Sequence, residues 1–153
     1  VPGAVKRTVT TRLEGFKKPN IYTYSLESTM AEKFDAILKR MTATSRMKDF
    51  YDIYYWSQMF DFEGRMLQEA IFETLQHRGT PYEKDSMKQI RAFDQNEFLQ
   101  NMWNNYNPGS GLEKPDFSSA LVQIDRFIGP VYEMILREDE FFGTWSSKEN
   151  VWK

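Results

Sequence analysis

The sequence predicts a mainly α fold: a helical bundle preceded by a short two-stranded β segment. Three observations lead there. From Ser25 onward, apolar residues recur at three- and four-residue spacing, the period of an amphipathic helix. Gly79, the 107–115 stretch and the Gly129-Pro130 pair cut this region into helical lengths. Residues 5 to 24 instead carry β-branched and aromatic residues around a turn at Gly15, Pro19 and Asn20.

In order along the chain, Val5–Leu13 and Ile21–Tyr24 read as two short strands, the edge of a larger sheet, because two strands alone are marginal. Met30, Phe34, Ile37, Leu38 and Met41 then define a first helix that Ser25 or Ser28 caps. Phe50, Ile53, Tyr54 and Trp56 place a second near 45–59. A third, expected to be capped by Asp61, carries Met66, Leu67, Ala70, Ile71 and Leu75 and stops at Gly79. Asp85 opens a short helix through Ile90. Asp94 and Glu97 have capping-box spacing and start a helix ending near Tyr106. After the Pro- and Gly-rich loop 107–115, Asp116 caps a last helix with Phe117, Leu121, Ile124, Phe127 and Ile128 inward, and Gly129-Pro130 is expected to kink it. The organisation is thus a β segment at 1–25, a helical domain at 26–137 and an acidic then aromatic tail at 138–153.

Composition narrows the function. The 153 residues suit one domain, and 41% apolar content is enough for a core without cross-links. Lys+Arg 20 against Asp+Glu 22 argues against a globally basic nucleic-acid binder but leaves room for a local basic patch. There is no cysteine, which removes disulfides, thiolate metal sites and a thiol nucleophile, and makes the cytoplasm the default location. No apolar run approaches the roughly 20 residues that span a bilayer, so no membrane partner is expected.

Several chemistries drop out. The chain has no Gly-rich P-loop and no His-Glu-x-x-His. The single histidine, His77, sits at a helix end, where a dipole or structural role is the simpler reading. Gly109-Ser110-Gly111 resembles a phosphate loop only superficially, because no Asp-x-Asp pair follows it to hold Mg²⁺ against nucleotide phosphates.

What remains is a concentration of charge on the first two helices. Lys33 stands between Met30 and Phe34. Arg46, Lys48, Asp49 and Asp52 adjoin the aromatic run Phe50-Tyr51 and Tyr54-Tyr55-Trp56. Arg46 to Asp49 is i, i+3 and Lys48 to Asp52 is i, i+4, so intrahelical salt bridges of ~0.2–0.5 kcal/mol each are a sufficient structural explanation. The functional alternative is that Lys33 with Lys48 or Arg46 faces nucleotide phosphates, while the carboxylates orient those cations or a nucleophilic hydroxyl.

Here the residues resemble a known family. Tyr24 to Lys33, followed by Arg46-Met47-Lys48-Asp49-Phe50-Tyr51-Asp52-Ile53-Tyr54-Tyr55, is similar to the third and fourth motifs of the AbiEii/AbiGii abortive-infection toxins, nucleotidyltransferase-like proteins of type IV toxin–antitoxin systems. The fourth motif, Arg-x-Lys-Asp-x-x-Asp, is matched at every defined position. Of the third, Ala31 and Lys33 match, and Glu27 lies one residue further from Ala31 than in some members. The segment Ile71 to Pro81, with its Arg78-Gly79-Thr80-Pro81, and the helix from Asp116 to Val131 also resemble the family.

The resemblance implies an α/β nucleotidyltransferase domain followed by a helical one, this chain being the second half. Its Gly-Ser and Asp-x-Asp motifs, expected in the first half, are absent from these residues. Lys33 and Asp49 are the implied catalytic pair, Lys33 on the phosphates and Asp49 on the reacting group. Arg46, Lys48, Asp52 and Glu27 are the implied nucleotide-binding support, and no residue here is an implied metal ligand. The implied reaction transfers a nucleotide from an NTP to an acceptor, RNA in several members, with Mg²⁺ expected only with the other half and an antitoxin protein opposing it. Without the Asp-x-Asp pair, the chain alone is expected to be inactive. A non-catalytic helical module binding protein or RNA, or a purely structural charge network, are the alternatives.

Overall fold

The computed structural model describes residues 25–41, 43 and 46–153. The two strands expected within 5–24 lie outside the described residues. Among those described, the order is α1 (Leu26–Arg40), α2 (Met47–Met59), β1 (Phe62–Glu63), α3 (Gly64–Arg78), α4 (Ser86–Arg91), a 3-10 turn (Phe93–Gln95), α5 (Glu97–Asn105), α6 (Phe117–Arg137), β2 (Thr144–Ser146) and β3 (Val151–Trp152). The fold is mainly α, as the periodicity predicts.

Several helix ends have a clear local reason. Ser25 caps α1, its hydroxyl accepting from the Ser28 amide. Asp116 does the same for α6 through the Ser119 amide. Gly79 ends α3 in the left-handed region at φ 64°, where a residue without Cβ is unstrained. Two expected caps are corrected. Glu63, not Asp61, occupies the cap position of α3. The Asp61 carboxylate instead accepts from the backbone N–H and hydroxyl of Ser147. Asn96, not Asp94, caps α5 through the Leu99 amide, and Asp94 belongs to the preceding 3-10 turn. At Gly129-Pro130, α6 continues as one 21-residue helix with Pro130 inside it. One turn upstream, the Phe127 carbonyl accepts a hydrogen bond from the Trp152 indole at 2.9 Å.

α1 lies mainly on α3, and α6 runs through the middle against α2, α3, α4 and α5. The core between them is rich in rings. Phe50 meets Phe117 edge-on at 5.5 Å, and Phe117 stacks on Trp103 at 5.1 Å. Phe34 meets Tyr132 at 5.7 Å. Such pairs add ~0.5–1.5 kcal/mol each beyond the burial of their area.

Residues 144–152, part of the stretch read as a tail, form two strands. β1 pairs with β2 and β2 with β3, all antiparallel, with Phe62 opposite Trp145 and Trp145 opposite Trp152. Trp145 is fully buried against Phe127 at 5.0 Å, and its indole N–H donates to the Ser57 carbonyl. Gln123 of α6 donates to Ser57 Oγ and to Asn150, which fastens the hairpin to α2 and α6. The approach to the hairpin is close: the Gly64 amide donates to the Gly143 carbonyl at 2.7 Å, and a Cβ on Gly64 would sit 2.6 Å from that oxygen. No helix among the described residues is long and apolar enough to cross a membrane.

Candidate functional site

The seam between α1 and α2 brings the charges together. Met30, Phe34, Ile37 and Leu38 turn one face of α1 into the core, which leaves Lys33 at the rim facing α2. On α2, burial of Phe50 and Ile53 sets the rotation, and Asp49 and Asp52, three residues apart, come to the same rim. Lys33 Nζ lies 2.9 Å from Asp52 Oδ2 and 3.9 Å from Asp49 Oδ1, so one ammonium bridges both carboxylates across the helix pair. Lys48 Nζ reaches the same Asp52 oxygen at 2.9 Å. Arg46 Nε lies 3.6 Å from Asp49 Oδ2.

The cluster is graded in exposure. The side chains of Lys33, Asp49 and Asp52 are 18%, 10% and 11% exposed, whereas Arg46 and Lys48 are 62% and 69% exposed. The three inner groups are held, and the two outer cations point to solvent. Burial pushes the Asp49 carboxyl above its usual range, with the charges of Arg46, Lys33 and Arg40 pulling it back. The hydrogen bond to Asp52 raises Lys48. Aromatic side chains border the cluster. The Trp56 ring lies 5.8 Å from Lys33 Nζ, in cation–π range. Tyr51 stacks on Tyr55 at 5.8 Å, and its hydroxyl donates to the Glu113 carbonyl. Tyr106 approaches from the end of α5, its phenol raised by burial and then by the charge of Asp52.

The structure thus joins Lys33, Arg46, Lys48, Asp49 and Asp52. Glu27 is placed apart from them. It is fully buried in the first turn of α1, six residues before Lys33, which is roughly 9 Å of rise and a third of a turn away. Trp56, the end of the aromatic run read beside the charges, borders the site, as do Arg40 and Tyr106, which the motifs alone do not find. The signal for Arg40 is its seven-residue spacing from Lys33 on one helix.

The position of α1 is itself held. Buried Asp35 accepts from the Thr80 hydroxyl, and Arg78 pairs with Glu32 and lies 4.0 Å from Asp35. The Arg78-Gly79-Thr80 turn therefore grips the helix that carries Lys33. Two surface grooves lie elsewhere, both against α6. One, of about 650 Å³, is rimmed by Glu69, Glu73, Glu138 and Glu140, which suits an anion poorly. The other, of about 550 Å³, has mixed charge.

Three cations against two carboxylates leave one positive charge in surplus, an arrangement that receives an oxyanion. It suits a divalent metal less well. Asp49 and Asp52 are both engaged by Lys or Arg, and no group of three His, Cys, Asp or Glu side chains with metal-holding geometry occurs among the described residues.

Comparison with known families decides what kind of protein carries this seam. The profile of the nucleotidyl transferase AbiEii toxin of type IV toxin–antitoxin systems matches residues 1–123. The chain belongs to the AbiEii family. That match spans α1 to the first third of α6, the whole charged seam included, and residues 124–153 with the β2–β3 hairpin lie beyond it. AbiEii is a family of toxins of type IV toxin–antitoxin systems, and membership in it implies an antitoxin partner. Comparison with curated proteins and with solved structures gave no significant match.

Proposed function

We propose that the α1–α2 seam is the phosphate-facing wall of a nucleotidyltransferase site, and that it serves transfer of a nucleotide from an NTP to an acceptor such as RNA. The observation that carries this is Lys33, an ammonium held between two carboxylates of the neighbouring helix with cations to spare, in a family of nucleotidyltransferase toxins.

In this reading Lys33 contacts nucleotide phosphates, and Lys48 and Arg46, already exposed, swing toward them. Asp52 keeps the two ammonium groups in place. Asp49, whose carboxyl burial makes more basic than an ordinary aspartate, accepts the proton of the attacking hydroxyl as its oxygen bonds to phosphorus and pyrophosphate leaves. Glu27 takes a supporting place through α1 rather than by contact with the nucleotide. The Mg²⁺ that accompanies an NTP finds no uncommitted carboxylate pair in this cluster, and the sequence has no Asp-x-Asp, so the chain by itself does not complete the reaction. The work is cytoplasmic, where NTPs are abundant, and its outcome is growth arrest of the abortive-infection kind.

The test uses the complete reading frame that encodes these residues. Lys33→Ala and Asp49→Ala, with melting curves matching the parent, are expected to abolish growth arrest and labelled-nucleotide transfer to RNA. Growth arrest undiminished in both variants overturns the catalytic reading and favours a helical module that binds a protein or RNA partner.

A further inference from the structure

Arg40 ends α1, seven residues after Lys33. Seven residues bring a helix back to within roughly 20° of its starting direction, so the two cations share a face, about 10 Å apart along the axis. That face looks onto α2. Lys33 reaches Asp49 and Asp52 from it, and the charge of Arg40 bears on Asp49 as well.

An arginine in the last turn of a helix ordinarily bonds the terminal carbonyls and offsets the dipole. Arg40 Nη1 does not. It is buried and donates to no acceptor among the described residues, while the Ile37 carbonyl is taken by the Met41 amide. A desolvated guanidinium N–H with no acceptor is an unfavourable state, and an incoming oxyanion relieves it. Counting Arg40, the seam holds four cations (Lys33, Arg40, Arg46, Lys48) against two carboxylates, a surplus of two. A planar guanidinium takes two phosphate oxygens at once, which a lysine cannot do.

We propose that Arg40 is a further anion-binding residue of this seam, taking a phosphate group of a polyphosphate chain whose other end Lys33 holds. The proposal rests on the reading of the seam as a phosphate wall. It extends that reading outside both motifs and gives the wall a length, so that it selects a chain of phosphates over a single one.

The experiment titrates the 153-residue chain calorimetrically with inorganic tripolyphosphate and with orthophosphate. The parent is expected to bind tripolyphosphate more tightly than orthophosphate. Arg40→Ala should weaken tripolyphosphate about ten-fold and leave orthophosphate nearly unchanged, and Arg40→Lys, with charge but no fork, should fall between. Should Arg40→Ala not fold, Arg40→Gln, which keeps the length and removes the charge, replaces it. If Lys33→Ala weakens tripolyphosphate and the Arg40 variants do not, Arg40 is structural and this inference fails while the wall stands. If the parent shows no tripolyphosphate binding, or Lys33→Ala leaves it intact, the wall itself fails.

Discussion

Asp49→Asn separates a site from a strut. If the seam were a stabilising salt-bridge network, removing one buried charge would cost ~3–5 kcal/mol. The geometry gives a different expectation. Lys33 at 3.9 Å attracts the Asp49 carboxylate by about 4 kcal/mol at an effective dielectric near 20. Arg46, at 3.6 Å but 62% exposed, adds about 0.5 kcal/mol. Against these stand the desolvation of the carboxylate, several kcal/mol for a buried ion, and repulsion from Asp52. Desolvation prevails, because the Asp49 carboxyl sits above its ordinary range despite three cations. Asparagine keeps the shape and removes the ionisation, while Lys33 keeps Asp52 at 2.9 Å. Urea denaturation at pH 7 should therefore give a variant as stable as the parent, or more stable by up to about 1 kcal/mol. The pH dependence follows in sign. A carboxyl raised on folding favours the folded state while protonated, and that contribution falls as pH rises from the unfolded value near 4 through the folded one. The advantage of Asp49→Asn should thus grow from pH 4 toward neutrality. A loss of 3 kcal/mol or more at pH 7 would refute the reasoning and make Asp49 a structural ion.

Two further outcomes test the frame around the seam. Thr80→Val removes the donor to buried Asp35, and should cost about 1–3 kcal/mol in urea denaturation; a change below about 0.5 kcal/mol would mean that Arg78 alone holds α1. Gly64→Ala drives a methyl into the Gly143 carbonyl and the Phe141 ring, and should lower stability by about 1–3 kcal/mol with a change in tryptophan fluorescence from Trp145 and Trp152, whereas an unchanged melting curve would show that the hairpin approach is loose.

The helices were legible because their signals are local. The stripe Met30-Phe34-Ile37-Leu38 and the caps Ser25 and Asp116 act within a turn or two, and the structure keeps them. The two corrected caps fail for different reasons, one a distant partner and one a nearer competitor. Asp61 has the right residue type, but Ser147, 86 positions later, claims its carboxylate. Asn96 lies nearer the true helix start than Asp94 and takes its place. The β2–β3 hairpin was not legible for the first of these reasons. Its strands are two and three residues long, and between them stand Ser147, Lys148, Glu149 and Asn150. The burial of Trp145 comes largely from distant partners, Phe62, Phe127 and the Ser57 carbonyl. In the seam, motif spacing singled out Lys33, Asp49 and Asp52. Arg40 escaped notice because its role depends on how α1 is rotated against α2.

The burial of Trp145 also bears on how the protein is born. A ribosome delivers α1 and its lysine long before residues 144–152, yet the cavity beside Phe127 and the Ser57 carbonyl stays unfilled until that tryptophan emerges. The helices made before it therefore wait with an open flank until residues 144–152 emerge.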